Sequence, residues 1–266
     1  MAIIALLSDL GTEDYFVGAM KGVILSINPE AAIVDITHEI PRHSVLTAGF
    51  TLARAAETFP RGTIFVAVVD PGVGTGRKSI LLCTRNGLFF IGPDNGLFTF
   101  AAEHFGVREI RELTNPKLMR DEISATFHGR DVFASVAAHL SLGIEPSEVG
   151  PVMTELRKLE VSGPKIVGEE IVGEVLAIDS FGNILTNIGR ELVENFASLG
   201  DTLELKIGEK KLFAKFLKAF GEVETGETLC YVGSIKLLEI AKNLGNLAGD
   251  IDARVHSKVR LRKTGC

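Results

Sequence analysis

The sequence predicts an α/β chain: an N-terminal, Rossmann-like domain with a mostly parallel sheet flanked by helices, followed by a smaller, β-barrel-like C-terminal domain. Three observations carry this. β-branched runs alternate with helix-period segments through the first half, the pattern of strand–helix–strand units. Pro, Gly and charge accumulate between about residues 150 and 168, a boundary that assigns 1–160 to one domain and 161–266 to the next. Beyond it, short strand-like runs separated by turn residues replace the helical pattern.

In chain order, Ala2 to Leu7, Ala32 to Ile36, Thr63 to Val69 and Val107 to Leu113 read as buried strands. Tyr15 to Ile27 is a helix, with Phe16, Met20, Val23, Ile24 and Ile27 on one face and Asn28-Pro29 as its stop. Ser44 to Phe59 repeats that spacing until Pro60-Arg61-Gly62 interrupts it. Asn86-Gly87 reads as a hairpin turn, which adds an antiparallel pair over Ser79 to Ile91, and Asp131 to Leu142 closes the domain as a helix. In the second half IVGEVLAID, NILTNI, TLELKIG, KKLFAKF, TLCYVG and ARVHSKVRLR are the expected strands.

Composition excludes several classes. At 266 residues, 46% hydrophobic and 23% charged, the chain can bury a full core and is not disordered. Lys and Arg total 28 against 34 Asp and Glu, a net charge of -6, so the basic footprint of a nucleic-acid binder is missing. The longest uncharged run, Val132 to Ile144, falls short of the roughly 18 apolar residues that span a membrane. MAIIALLSDLG has no basic segment before its apolar stretch and reads as a strand rather than a leader. Cys83, Cys230 and Cys266 are odd in number and far apart, so we expect reduced thiols, no disulfide framework, and a cytoplasmic protein.

Ligands of open α/β sheets bind beyond the carboxyl ends of the strands. Asp9 follows the first strand and Asp70 the third, although each could simply cap a helix or start a turn. The loop PGVGTGR is not a phosphate loop: Pro71 stands where Gly is required, Arg77 where Lys is required, and a strand follows rather than a helix. What remains is a glycine loop ending in the permanently charged, planar guanidinium of Arg77. In TFHGRD, His128 precedes Gly129, Arg130 and Asp131 at the start of a helix. Asp179, Phe181 and Asn183 alternate along DSFGN, a spacing that projects to one face if the run is extended. His38 and His43, with Asp70, could suggest a metal, but Pro41 between them spoils a helical ligand pair, and no metal is expected.

Together SDLGT, ITHEIPRHSV, VVDPGVGT, IGPDNG, TFHGRD and DSFGN, in this order, resemble the S-adenosyl-L-methionine hydroxide adenosyltransferases, relatives of fluorinases and chlorinases. The resemblance runs from about Ile3 to Lys258, with little contribution from Phe196 to Glu227. It implies attack of water or hydroxide on the ribose 5′ carbon, releasing adenosine and L-methionine. It assigns the chemistry to Asp70, Arg77 and His128, leaving open whether Asp70 or His128 takes the proton. It assigns the ribose hydroxyls to Asp9, the methionine ammonium to Asp179, the adenine to Phe181 and Asn183, and the methionine carboxylate to Ser234. Gly233 and Ile235 flank that serine where halogenating relatives have Asn and Arg. The resemblance further implies a homotrimer with sites at subunit interfaces, no cofactor beyond the substrate, and no nucleic-acid or membrane partner. A halide-using enzyme and a non-catalytic sensor of S-adenosyl-L-methionine or adenosine are the competing readings.

Overall fold

The computed structural model describes residues 2–264, and Cys266 lies outside them. The chain forms two compact units, Met1–Leu159 and Glu160–Cys266.

In the first unit, β1 (Ile3–Ser8), α1 (Phe16–Ile27), β2 (Ala32–Thr37), α2 (Val45–Ala56), β3 (Ile64–Val68), β4 (Ser79–Thr84), β5 (Phe89–Pro93), α3 (Thr99–Phe105) and β6 (Val107–Glu112) follow in order. A wide π-type turn, Gly129–Ala134, then runs into α4 (Ser135–Ser141), and β7 (Val152–Met153) ends the unit. The sheet order is β2-β1-β3-β5-β4-β6-β7. β1 pairs in parallel with β2 and β3, and β3 with β5, while β4 is antiparallel to β5 and β6.

Alternation along β1 explains the two helical layers. Ile4 and Leu6 pack with Met20 and Ile24 of α1 and with Phe133, whereas Ala5 and Leu7 pack with Leu52 of α2 and with Phe98 and Ala101. Successive strand residues point to opposite faces, so a strand covered on both sides must be apolar throughout. Each fully buried leucine contributes about 1.5–3 kcal/mol by leaving water. The helix expected over Ser44 to Phe59 stops at Ala56, where Thr58 and Phe59 N–H groups tighten onto the carbonyls of Ala55 and Ala56. Helix α3 was not anticipated, because its seven residues are too few to display a helical period.

The second unit contains β8 (Lys165–Val167), β9 (Glu170–Ile178), β10 (Ile184–Gly189), α5 (Arg190–Phe196), β11 (Thr202–Ile207), β12 (Lys210–Leu217), β13 (Thr228–Val232), β14 (Leu237–Lys242), α6 (Leu247–Ile251) and β15 (Lys258–Lys263). The order β10-β14-β13-β12-β11-β15-β9 closes on itself through the β9–β10 pairing, giving a seven-stranded barrel with β8 appended to β9. Closure removes sheet edges. Ile171, Leu203, Leu205, Phe216, Ile240 and Leu261 fill the interior. The run ARVHSKVRLR is strand only from Lys258, because the chain turns through left-handed residues at Asp252 and His256 just before it.

Candidate active site

Neighbouring parallel strands place the first two acids. Ser8 of β1 is in register with Val68 of β3, so Asp9 and Asp70 leave the same edge of the sheet. Neither acid caps α1, whose first turn has no side-chain cap. Instead Asp9 Oδ2 accepts the His43 N–H at 2.8 Å. No further hydrogen bond to Asp9 is formed among the described residues, so Oδ1 keeps its acceptor capacity.

Asp70 opens a tight loop, its carbonyl accepting the Val73 N–H at 3.2 Å. Gly74 makes the loop possible. Its φ is +76°, and a Cβ there would sit 2.7 Å from the Ala125 carbonyl oxygen. The loop then returns Arg77 onto Asp70. Arg77 Nε donates to both Asp70 oxygens at 3.0 Å, and Nη2 donates to Asp70 Oδ2 as well. The same Nη2 lies 2.8 Å from His128 Nδ1, while Nη1 donates to Ser79 Oγ at 2.7 Å and to the Lys78 carbonyl at 3.4 Å. The guanidinium also stands 5.4 Å above the Phe133 ring. Side chains of Arg77 and Asp70 are only 5% and 6% exposed. In so dry a place each contact is worth more than at a surface, and the set behaves as one charge-balanced unit.

This geometry fixes the histidine. Arginine can only donate, so His128 Nδ1 must carry a lone pair and the ring proton belongs on Nε2. Burial, together with the positive charge of Arg77, lowers the His128 pKa from its ordinary value. The ring is therefore neutral near pH 7. Three residues on, Asp131 is fully buried, pairs with Arg130 at 2.6 and 3.0 Å, and accepts the Ser124 N–H at 2.9 Å. Burial would raise the Asp131 carboxyl, but those bonds from Arg130 and Ser124 outweigh it and hold it below the usual range. Arg130 and Asp131 thus pair with each other at the helix start.

In the second unit the expected one-faced alternation of Asp179, Phe181 and Asn183 is corrected: the segment is a turn. Asp179 Oδ1 accepts the Phe181 and Asn183 N–H groups at 2.9 Å, Oδ2 accepts Asn183 Nδ2 at 2.8 Å, and the Gly182 N–H returns to the Asp179 carbonyl at 3.0 Å. Gly182 has φ +85°, and a Cβ would collide with Asn246. An aspartate that bonds backbone groups ahead of it favours such a turn over a strand. Phe181 is left 75% exposed and Asn183 buried. Ser234 lies exposed in the turn between β13 and β14, beside buried Gly233.

The structure thus brings Asp70, Arg77 and His128 into direct contact, sets Asp9 at the adjoining strand end, and gathers Asp179, Phe181 and Asn183 into one turn. The supporting residues Ser79 and Phe133 were not singled out as functional from the sequence, since each acts through Arg77. Asn95, in the motif IGPDNG, also belongs here: its Nδ2 donates to the Val69 carbonyl at 2.9 Å, next to Asp70. Among the described residues no three His, Cys, Asp or Glu side chains are grouped to hold a metal ion. No helix among them is long and apolar enough to cross a membrane.

An open α/β unit with a buried acid–guanidinium–imidazole cluster at its strand ends, followed by a closed barrel, defines a two-unit class of small-molecule protein. The chain belongs to the SAM hydroxide adenosyltransferase family: the family's N-terminal domain matches residues 4–150 and its C-terminal domain residues 173–260. It is 39% identical over 253 residues to an (R)-S-adenosyl-L-methionine hydrolase of Methanocaldococcus jannaschii, covering 92% of this chain and 89% of that one. A fluorinase of Actinoplanes sp. is more distant, 30% identical with 92% of each covered. The crystal structure of an uncharacterized conserved protein from Thermotoga maritima superposes with a TM-score of 0.92 at 41% identity, covering 97% of this chain and 99% of that one.

Proposed function

We propose that this protein hydrolyses S-adenosyl-L-methionine, water attacking the ribose 5′ carbon in line with the sulfur to give adenosine and L-methionine. The observation that carries the reading is the direct contact of Asp70, Arg77 and His128 beyond the strand ends. A sulfonium departs as a neutral thioether, so the reaction needs no general acid, and this reading includes no metal or other cofactor. Its difficulty lies in orienting and deprotonating one water.

The hydrogen-bond pattern supports one division of roles. Every Arg77 N–H is directed at a protein acceptor, so its part is to lock Asp70 and His128 in place and to balance their charge. His128 Nδ1 is filled and Nε2 carries the ring proton, which makes Nε2–H a donor that orients the water. The lone pairs left to take its proton belong to Asp70. As hydroxide character meets a sulfonium, opposite charges cancel, and a dry site favours that step.

Asp9, with one carboxylate oxygen open, receives the ribose hydroxyls in this reading. Asp179 meets the methionine ammonium, Phe181 and Asn183 the adenine, and Ser234 the methionine carboxylate. The reading extends to a cytoplasmic homotrimer in which the first-unit residues of one subunit are completed by second-unit residues of a neighbour. Exposed Phe181 and two free, buried thiols are consistent with it; burial pushes Cys83 up to about 11 and Cys230 up to about 12.

The test is product analysis by mass spectrometry after incubation with S-adenosyl-L-methionine in heavy-oxygen water containing chloride. Adenosine labelled at its 5′ oxygen, with methionine, is the expected result. A 5′-halo-nucleoside would make the chain a halide user, and stoichiometric recovery of intact ligand would make it a sensor.

A further inference from the structure

A second relay, running from buried Ser8 and His38 out to exposed Asp35, lies beside Asp9, in a motif the chemistry above does not use. Ser8, the last residue of β1, is fully buried, and His38, just after β2, is 4% exposed. Ser8 Oγ is 2.7 Å from His38 Nδ1, His38 Nε2 is 3.1 Å from Asp35 Oδ1, and Lys21 Nζ donates to Asp35 Oδ2 at 2.5 Å. The order Ser–His–Asp resembles a nucleophilic triad, but a serine without solvent access cannot meet a substrate.

The proton positions follow from chemistry. An ionised Asp35 can only accept, and it also holds Lys21, so His38 Nε2 carries the ring proton and Nδ1 accepts the Ser8 hydroxyl proton. The Ser8 oxygen is then free to accept, and it receives the Leu10 N–H at 3.3 Å. Backbone bonds complete the frame: Gly11 N–H to the His38 carbonyl at 2.8 Å, and Ile40 N–H to the Ser8 carbonyl at 3.3 Å. Ser8 before Asp9 and Gly11 after it are therefore tied to His38, and Leu10 to Ser8, while the Asp9 carboxylate is tied to His43 N–H on the same connecting segment. A cavity of about 390 Å³ opens at this point, lined among others by Asp9, Leu10, Thr12, His38 and Arg42.

We propose that His38 is a positioning residue: the Ser8–His38–Asp35 relay fixes the peptide around Asp9 and so sets how strongly the enzyme recognises the ribose hydroxyls of its substrate. This rests on the reading of Asp9 given under Proposed function. Because a second-layer hydrogen bond acts by holding its neighbour's geometry, its loss should appear in discrimination at the hydroxyl rather than in the chemical step.

The experiment compares S-adenosyl-L-methionine with its 2′-deoxyadenosyl analogue in wild type, Ser8→Ala, His38→Leu and His38→Asn, with adenosine or 2′-deoxyadenosine release as readout. In wild type the analogue should lose at least tenfold in kcat/KM. In Ser8→Ala and His38→Leu that penalty should shrink at least fivefold, through a raised KM for the natural substrate with kcat within about threefold. His38→Asn, whose amide can still accept from Ser8, should recover part of the discrimination. Ser8→Ala keeps the proposal open to refutation where His38→Leu fails to fold. Discrimination that survives in the folded variants overturns the proposal alone, as does an equal loss on both substrates. A wild type that turns over but ignores the 2′-hydroxyl overturns the Asp9 assignment and the proposal with it, and a wild type that releases no adenosine overturns the hydrolytic reading.

Discussion

The two groups of site residues are built in opposite ways. Asp70, Arg77 and His128 hold one another, side chain to side chain, across a sequence separation of 51 residues between Arg77 and His128. Asp179, Phe181 and Asn183 are held by their own turn, with every bond reaching no further than four residues. The first arrangement is buried and leaves little freedom; the second presents an exposed aromatic ring and spends its carboxylate on the turn's own N–H groups and the Asn183 amide. The difference teaches that, on the proposed reading, the first group keeps reacting geometry and the second keeps a binding surface. Substitutions should therefore separate into losses of turnover and losses of binding.

The largest effect should come from Arg77. Arg77→Lys keeps the charge but not the fork, and should lower kcat about a thousandfold, roughly 4 kcal/mol of transition-state stabilisation, with KM changed less than fivefold. Steady-state adenosine release measures both constants, and near-wild-type turnover in this variant would remove the cluster from the chemistry. Asp179→Ala should do the reverse, raising KM some ten- to a hundredfold while kcat stays within threefold. A comparable fall in kcat would mean that the two groups are not separable. Phe181→Ala should cost less, about 1–2 kcal/mol of adenine stacking, seen as weaker adenosine inhibition with methionine inhibition unchanged.

The smallest expected effect is in pH dependence, and it sharpens the contrast. His128 is held below its ordinary value of about 6.5 by burial and by Arg77. It is therefore neutral above about pH 6.5. Activity should fall only on the acid side, below that value, because a proton on Nδ1 would face the guanidinium. The stability that neutral His128 contributes is likewise present above about pH 6.5 and is lost as pH falls toward the folded-state value. Replacing Arg77 by Gln should raise the His128 pKa, measurable by imidazole NMR, whereas Asp179→Ala should leave it unmoved. An unchanged titration in Arg77→Gln would show that the two side chains are not in contact in solution.

Much of the fold was legible because its signals are local. Apolar continuity in ALLS and IFVAV, helical spacing in Phe16–Ile27, and Asn86-Gly87 as a turn depend only on near neighbours. The short helices α3 and α5 were not, since seven residues do not display a helical period, nor was the strand β14, whose sequence LLEIAK breaks strict alternation. For the site, the residue types were legible and their partners were not. Asp179, Phe181 and Asn183 illustrate why: the two-residue spacing fits a strand as well as it fits an aspartate-led turn, and Gly182 at positive φ decides between them.

Residue identity and spacing alone determined the two-part architecture, the absence of a basic footprint, and the set of acids, arginine and histidine available for chemistry. Only the tertiary structure decided that Arg77 reaches both Asp70 and His128, which ring nitrogen of His128 carries the proton, and that a Ser8–His38–Asp35 relay, buried at Ser8 and His38, stands behind Asp9. The reason is physical. Hydrophobic period and turn chemistry are written in neighbouring residues, whereas a hydrogen bond between distant side chains exists only once packing has brought them within about 3 Å and excluded the water that would otherwise compete.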